Sequence, residues 1–109
     1  MDITIGRRGS GKTTMLIQRS AKENIYILTA NRKRADYIFF MARKMGLHIP
    51  YPVTIREYMQ GEFKGSSIRR DGLLIDDADD VLQEIFFGIR IKEITITDCD
   101  EAGNCIRCL

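Results

Sequence analysis

Residues Gly6-Arg7-Arg8-Gly9-Ser10-Gly11-Lys12-Thr13 satisfy the pattern G-x-x-x-x-G-K-[ST] without a mismatch. That spacing serves the capture of a polyphosphate. Glycines let the chain wrap so that successive backbone N–H groups converge on phosphate oxygens, at the head of a helix whose dipole favours an anion. The Lys12 ammonium would reach the β and γ phosphates as a mobile point charge, and the Thr13 hydroxyl would ligate Mg²⁺. Thr14 completes the expected phosphate-binding set, which runs without a break from Gly6. The alternative is a glycine-rich turn with an incidental lysine.

A second group of chemically capable side chains lies at Leu73-Leu74-Ile75-Asp76-Asp77-Ala78-Asp79, where an apolar run ends abruptly in carboxylates. A strand here would deliver Asp76 to the C-terminal edge of a sheet, the edge where open α/β sheets bind ligands. Asp76 is the candidate Mg²⁺ carboxylate, acting through water, with Thr13 as its companion. The competing reading is structural: Asp77 caps the following helix, and Asp79 and Asp80 occupy its first turn, where carboxylates suit the dipole.

Elements of alternating type must position these groups. Asp2 to Ile5 alternates as a strand, the glycine loop follows, and TTMLIQRSAKE has helical character. Ile25-Tyr26-Ile27-Leu28 reads as a short buried strand. Asn31 can cap a helix whose apolar positions Ala35, Ile38, Phe39, Ala42 and Met45 recur at spacings of three and four, up to Gly46. A capping box, Thr54-x-x-Glu57, predicts a strand near Val53 passing into one or two helical turns that end at Gly61. Residues 61–70 read as a basic polar loop, ADDVLQEIFF as a helix closed by Gly88, and residues 93–97 as a last strand. Alternating strands and helices imply right-handed parallel crossovers. The expected fold class is α/β: a three-layer α-β-α sandwich on a mainly parallel sheet of about five strands.

At this point the chain resembles the P-loop NTPases, with a Walker A motif at Gly6–Thr13 and a Walker B strand ending at Asp76. The letters Asp76-Asp77-Ala78-Asp79 are similar to the Asp-Glu-Ala-Asp signature of DEAD-box helicases and to the Asp-Glu-Ala of viral DNA-packaging terminases. The resemblance implies ATP and Mg²⁺ as cofactors and the fold of one RecA-like lobe of the additional-strand branch. It also implies that the 93–97 strand inserts between the Walker A and Walker B strands, with Thr97 facing the nucleotide. Leu28-Thr29-Ala30-Asn31-Arg32 and Val53-Thr54 resemble the helicase segments that touch a nucleic-acid backbone. So small a lobe is similar to phage-encoded proteins, which implies a DNA transaction in a host cytoplasm.

One departure bears on rate. In those families the residue after the metal aspartate is a glutamate that orients or deprotonates the attacking water, so the resemblance implies that role for Asp77; aspartate is shorter by one methylene, about 1.5 Å of reach, and a displacement of about 1 Å can cost roughly a hundredfold. Helicases of this type add a second lobe that supplies an arginine, worth 10³ to 10⁵ in rate, so slow hydrolysis is expected unless the lobe self-associates or meets a partner. Arg7 and Arg8 in the loop, a placement that terminases resemble, and Arg69 or Arg70 are candidates for that arginine. The alternative function is a non-catalytic nucleotide-sensing module that docks onto a partner. The chain has no Asn-Lys-x-Asp guanine signature, which favours ATP, and nucleotide kinases need a lid and an acceptor domain that fit poorly in this length.

The whole-chain composition is compatible with these readings. At 109 residues the chain accommodates one domain, 1–109, with 98–109 expected as a loosely packed tail. No apolar run approaches the roughly 18 residues of a membrane span, and Gly6-Arg7-Arg8 interrupts the only apolar start a secretory leader could use, so a cytoplasmic location is expected. Residues 1–50 hold ten Lys/Arg against three acids and the remainder seven against twelve, so the net +2 conceals a split of +7 and −5. Arg32, Lys33, Arg34, Arg43 and Lys44 are the expected DNA surface, against the alternative of a solvated helix face. Cys99, Cys105 and Cys108 crowd into the last eleven residues, an odd number that argues against a disulfide framework. They fall one ligand short of a zinc site, with His48 remote and read as structural.

Overall fold

A computed structural model describes residues 1–61 and 67–97, and residues 106–108 as a strand. Part of the 61–70 segment, and Cys99 and Cys105 of the C-terminal segment, therefore lie outside the described residues. The elements are β1 (Ile3–Ile5), α1 (Lys12–Glu23), β2 (Ile27–Thr29), α2 (Arg32–Lys44), β3 (Val53–Thr54), α3 (Ile55–Met59), α4 (Ile68–Asp71), β4 (Leu74–Ile75), α5 (Ala78–Ile85) and β5 (Ile106–Cys108). The fold is mixed α/β. Among these residues, no helix is long and apolar enough to cross a membrane.

All described strand pairs are parallel, and they form two sheets. The larger has the order β3-β2-β4, with Leu28 opposite Val53 and Ile75, and Thr29 opposite Thr54. The smaller pairs β1 with β5, Ile3 opposite Ile106. The physical basis of the larger sheet is the alternation along β2, whose neighbouring side chains enter different cores. Ile25 and Ile27 pack with Ile17 of α1, Ile38 and Ala42 of α2, and Leu74. Leu28 and Ala30 pack with Ile55 of α3 and Val81 of α5. Helices thus cover both faces of β2, which explains why Ile27 and Leu28 are almost wholly buried.

Local signals act where the sequence places them. The Asn31 side chain accepts from the Arg34 backbone N–H at 2.9 Å and starts α2. Thr54 and Glu57 form a reciprocal capping box at α3. At the end of α1, buried Ser20 donates to the Ile25 carbonyl at 2.6 Å, tying the helix to the approach to β2.

Two expectations are corrected. Residues 93–97 form no strand and are exposed; instead 106–108, expected in a loose tail, pairs with β1. A strand inserted between two others in a sheet covered on both faces needs apolar side chains on both sides, and Glu93-Ile94-Thr95-Ile96-Thr97 offers them on one side only. With nothing inserted beside β4, Ile75 stays 48% exposed, and no described pairing joins β1 to the larger sheet. The basic segment also contains a helical turn, α4, because Ile68 is drawn into the interior and the Ser67 carbonyl accepts from the Arg70 and Asp71 backbone. His48, read as structural, is exposed.

Candidate functional site

The glycine loop leaves β1 and ends at Gly11, the residue before α1. Gly9 and Gly11 have φ of 80° and 89°, the left-handed region that disfavours any side chain. A Cβ at either would meet nothing within 4 Å. Backbone conformation therefore selects glycine here. The loop is braced by its own carbonyl at Arg7, which accepts from Ser10 N–H at 3.1 Å and from Lys12 Nζ at 3.3 Å. No side chain caps α1 and no acid lies in its first turn, so the first N–H groups and the positive end of the helix remain available to an anion.

Folding brings the second cluster to the same place. The Thr13 hydroxyl donates to Asp76 Oδ1 at 3.1 Å, although the two residues are sixty-three apart in sequence. Asp76 is 3% exposed and its backbone N–H continues the ladder onto the Leu28 carbonyl at 2.9 Å. Lys12 Nζ lies 4.0 Å from Asp77 Oδ1. The two expected metal residues, and the expected lysine and second aspartate, therefore face one another in pairs.

Asp77 precedes α5 in left-handed conformation, φ 51°, and its side chain makes no capping hydrogen bond, so the structural alternative holds by position only. Asp79 and Asp80 occupy the first turn, exposed. Burial pushes the Asp77 carboxyl above the ordinary range and the neighbouring Asp76 charge adds to this, against the opposing pull of Arg34 and Lys12.

Sequence reasoning assigned Arg34 to a DNA surface, whereas the fold turns it inward. Its Nε donates to Asp76 Oδ2 at 2.9 Å, its Nη2 donates to Thr13 Oγ1 at 2.9 Å, and Nη2 lies 3.7 Å from Asp77 Oδ2. Burial would lower the guanidinium pKa, but the hydrogen bond and charge of Asp76 outweigh it and the net shift is upward. The available signal was position: Arg34 stands three residues after a helix cap at the C-terminal end of a central strand.

Other expected residues stand apart. Arg7 and Arg8 are exposed and pair with no described carboxylate. Arg70 is engaged with Asp71, next to it in sequence, and Arg69 is exposed. Thr97 lies in the exposed segment outside any strand and makes no hydrogen bond to the site among the described residues. Of the basic residues on α2, Arg32 pairs with Glu57 and stacks over Tyr51, while Lys33, Arg43 and Lys44 are exposed. The two strand-end segments Leu28–Arg32 and Val53–Thr54 do converge: Ala30, Asn31, Arg32 and Thr54 line a cleft of about 250 Å³ with Arg56, Glu57 and Glu84. The Thr29 hydroxyl is buried without a hydrogen-bond partner among the described residues.

The donor set suits Mg²⁺ on chemical grounds: a hydroxyl and a carboxylate are hard oxygen donors. Among the described residues no three His, Cys, Asp or Glu side chains converge. One carboxylate and one hydroxyl match a cation whose remaining ligands are water and substrate phosphate. No family model, curated protein or solved structure matches the chain.

Proposed function

We propose that this chain binds ATP with Mg²⁺ through a P-loop and hydrolyses it slowly in support of a DNA transaction such as packaging or remodelling. The observation that supports this most is the 3.1 Å approach of Thr13 to Asp76, which joins the glycine loop to the carboxylate edge of the larger sheet. In this reading the loop N–H groups hold phosphate oxygens and Lys12 neutralises them. Thr13 and Asp76 hold the cation, which when bound offsets charge on the phosphates. Asp77 orients water and accepts its proton. The finer architecture, a RecA-like lobe with a five-strand sheet, belongs to the same proposal.

The experiment is ATP binding and phosphate release by wild type, Lys12→Ala and Asp77→Glu, with and without DNA. Binding and turnover lost in Lys12→Ala, with turnover raised in Asp77→Glu, are expected. Equal background release from wild type and Lys12→Ala defeats the enzymatic part. The DNA part requires affinity that falls between about 50 and 200 mM salt.

A second reading, a nucleotide-sensing module that docks onto a partner, draws support from Asp77 itself. Its carboxylate faces Lys12 and Arg34, at 4.0 and 3.7 Å, rather than standing clear to position water. ATP binding without turnover at any protein concentration is the result that favours it.

A further inference from the structure

Arg34 holds both side chains that the proposed function gives to the metal. Thr13 Oγ1 has one proton and two lone pairs. Its proton goes to Asp76 Oδ1, and Arg34 Nη2 donates into a lone pair at 2.9 Å, the kind of electron pair a cation would use. The second oxygen of Asp76 accepts from Arg34 Nε, also at 2.9 Å. One rigid guanidinium thus bridges the hydroxyl and the carboxylate.

The bridge is held from its own helix. The Asn31 cap fixes the Arg34 backbone at 2.9 Å, and the Tyr37 ring lies 5.0 Å from the guanidinium carbon. Asp76, buried at the end of β4, needs a cation, because an unpaired carboxylate there would keep its full desolvation cost. A divalent cation on Thr13 and Asp76 would supply that charge. It would also stand against the guanidinium at contact distance, where like charges repel. Arginine keeps its charge at any pH the protein survives, so the conflict is relieved by movement and not by deprotonation.

We propose that Arg34 is an internal cation of this site, which occupies Thr13 and Asp76 until a divalent cation displaces it, so that metal loading and Arg34 release are one exclusive exchange. The proposal rests on the metal-site reading of Thr13 and Asp76. It adds a regulatory consequence: the threshold for metal is set by how firmly Arg34 is held, and anything that draws Arg34 outward, such as an anion, lowers it.

The test uses Mn²⁺ alone as the probe, with free Mn²⁺ followed by electron paramagnetic resonance in wild type, Arg34→Gln, Arg34→Lys and Arg34→Gln with Asp76→Asn. Arg34→Gln is expected to bind Mn²⁺ about tenfold more tightly than wild type, a coupling of ordinary size for two ligands on one protein. Arg34→Lys, which keeps the charge but not the fork, is expected between the two. Adding Asp76→Asn is expected to abolish the gain. Equal affinity in wild type and Arg34→Gln, absence of binding in both included, overturns the proposal, as does a gain that survives Asp76→Asn.

Wild type alone gives a second measurement should the variants fail to fold. Mg²⁺ titration is expected to shift the Arg34 Nε–H resonance together with the Thr13 amide; any other response, including a Thr13 shift with Arg34 unmoved, overturns the exchange. ATP binding in the presence of Mg²⁺ separates this from the nucleotide reading. Its absence in wild type, with the Mn²⁺ gain of Arg34→Gln intact, removes the nucleotide and leaves the exchange standing.

Discussion

Asp76 and Arg34 form a pair in which the carboxylate is 3% exposed and the guanidinium 33%, with Nε to Oδ2 at 2.9 Å. The buried member cannot find water if its partner is removed, whereas the arginine can. Substitution should therefore be asymmetric. Arg34→Ala is expected to cost about 2–4 kcal/mol and Asp76→Ala about 1–3 kcal/mol. Urea denaturation of both singles and the double variant checks this, and the double should cost less than the two singles together.

Gly11→Ala tests the loop. At φ 89° a side chain is strained although space is open, so the expected loss is about 1–2 kcal/mol of stability. If the loop relaxes instead, ATP affinity falls while stability holds. A variant that keeps both contradicts the conformational account.

The Asp77 carboxyl stands above its ordinary range because burial and Asp76 disfavour the charge. A raised carboxyl pKa means that ionisation weakens the folded state. At neutral pH, Asp77→Asn is then expected to be more stable than wild type by less than about 1 kcal/mol, since the group is partly screened. Asparagine also tolerates the left-handed backbone at this position. As pH falls through the folded pKa, wild type should gain on the variant until the difference closes. Thermal unfolding from neutral pH downward reads it directly, and a difference that widens with acid contradicts the assignment.

The capping box at α3 has the opposite sign. Burial would raise the Glu57 carboxyl, but hydrogen bonds from Thr54 and the charge and hydrogen bond of Arg32 outweigh it and hold it low. Its contribution is fully present above the unfolded value, near 4.5, and is lost as pH falls through the folded pKa. Thr54→Ala removes the other half of the box and should cost about 1 kcal/mol. Stability curves of wild type and Glu57→Gln should converge in acid below that range.

Self-association has its own signature. If Arg7 or Arg8 serves a neighbouring copy, ATP turnover per molecule should rise with protein concentration, and Arg7→Ala or Arg8→Ala should flatten the rise. Turnover strictly linear in protein contradicts a shared site.

Much of the site was legible in the sequence because its signals are local. Glycines at fixed offsets require a particular backbone, Asn31 and Thr54 can cap only the turns that follow them, and an apolar run ending at Asp76 places that carboxylate at a strand end. These choices depend on neighbours within about four positions, and each appears in the structure. Arg34 was misread for the same reason: locally it is one more cation on a basic helix. Only the parallel placement of β2 beside β4 sets the start of α2 over Asp76.

Strand partnership was likewise beyond local pattern. Residues 93–97 and 106–108 both offer β-branched or apolar positions, and which of them pairs with β1 depends on what else competes for that edge and on which faces are covered. Sequence by itself determined the α/β alternation, the loop, the caps and the carboxylate cluster, through short-range sterics and hydrogen bonding. Tertiary structure decided that β1 takes 106–108 as its partner and that Arg34 is the cation of Asp76, because a buried carboxylate recruits the nearest charge in space, whatever its distance along the chain.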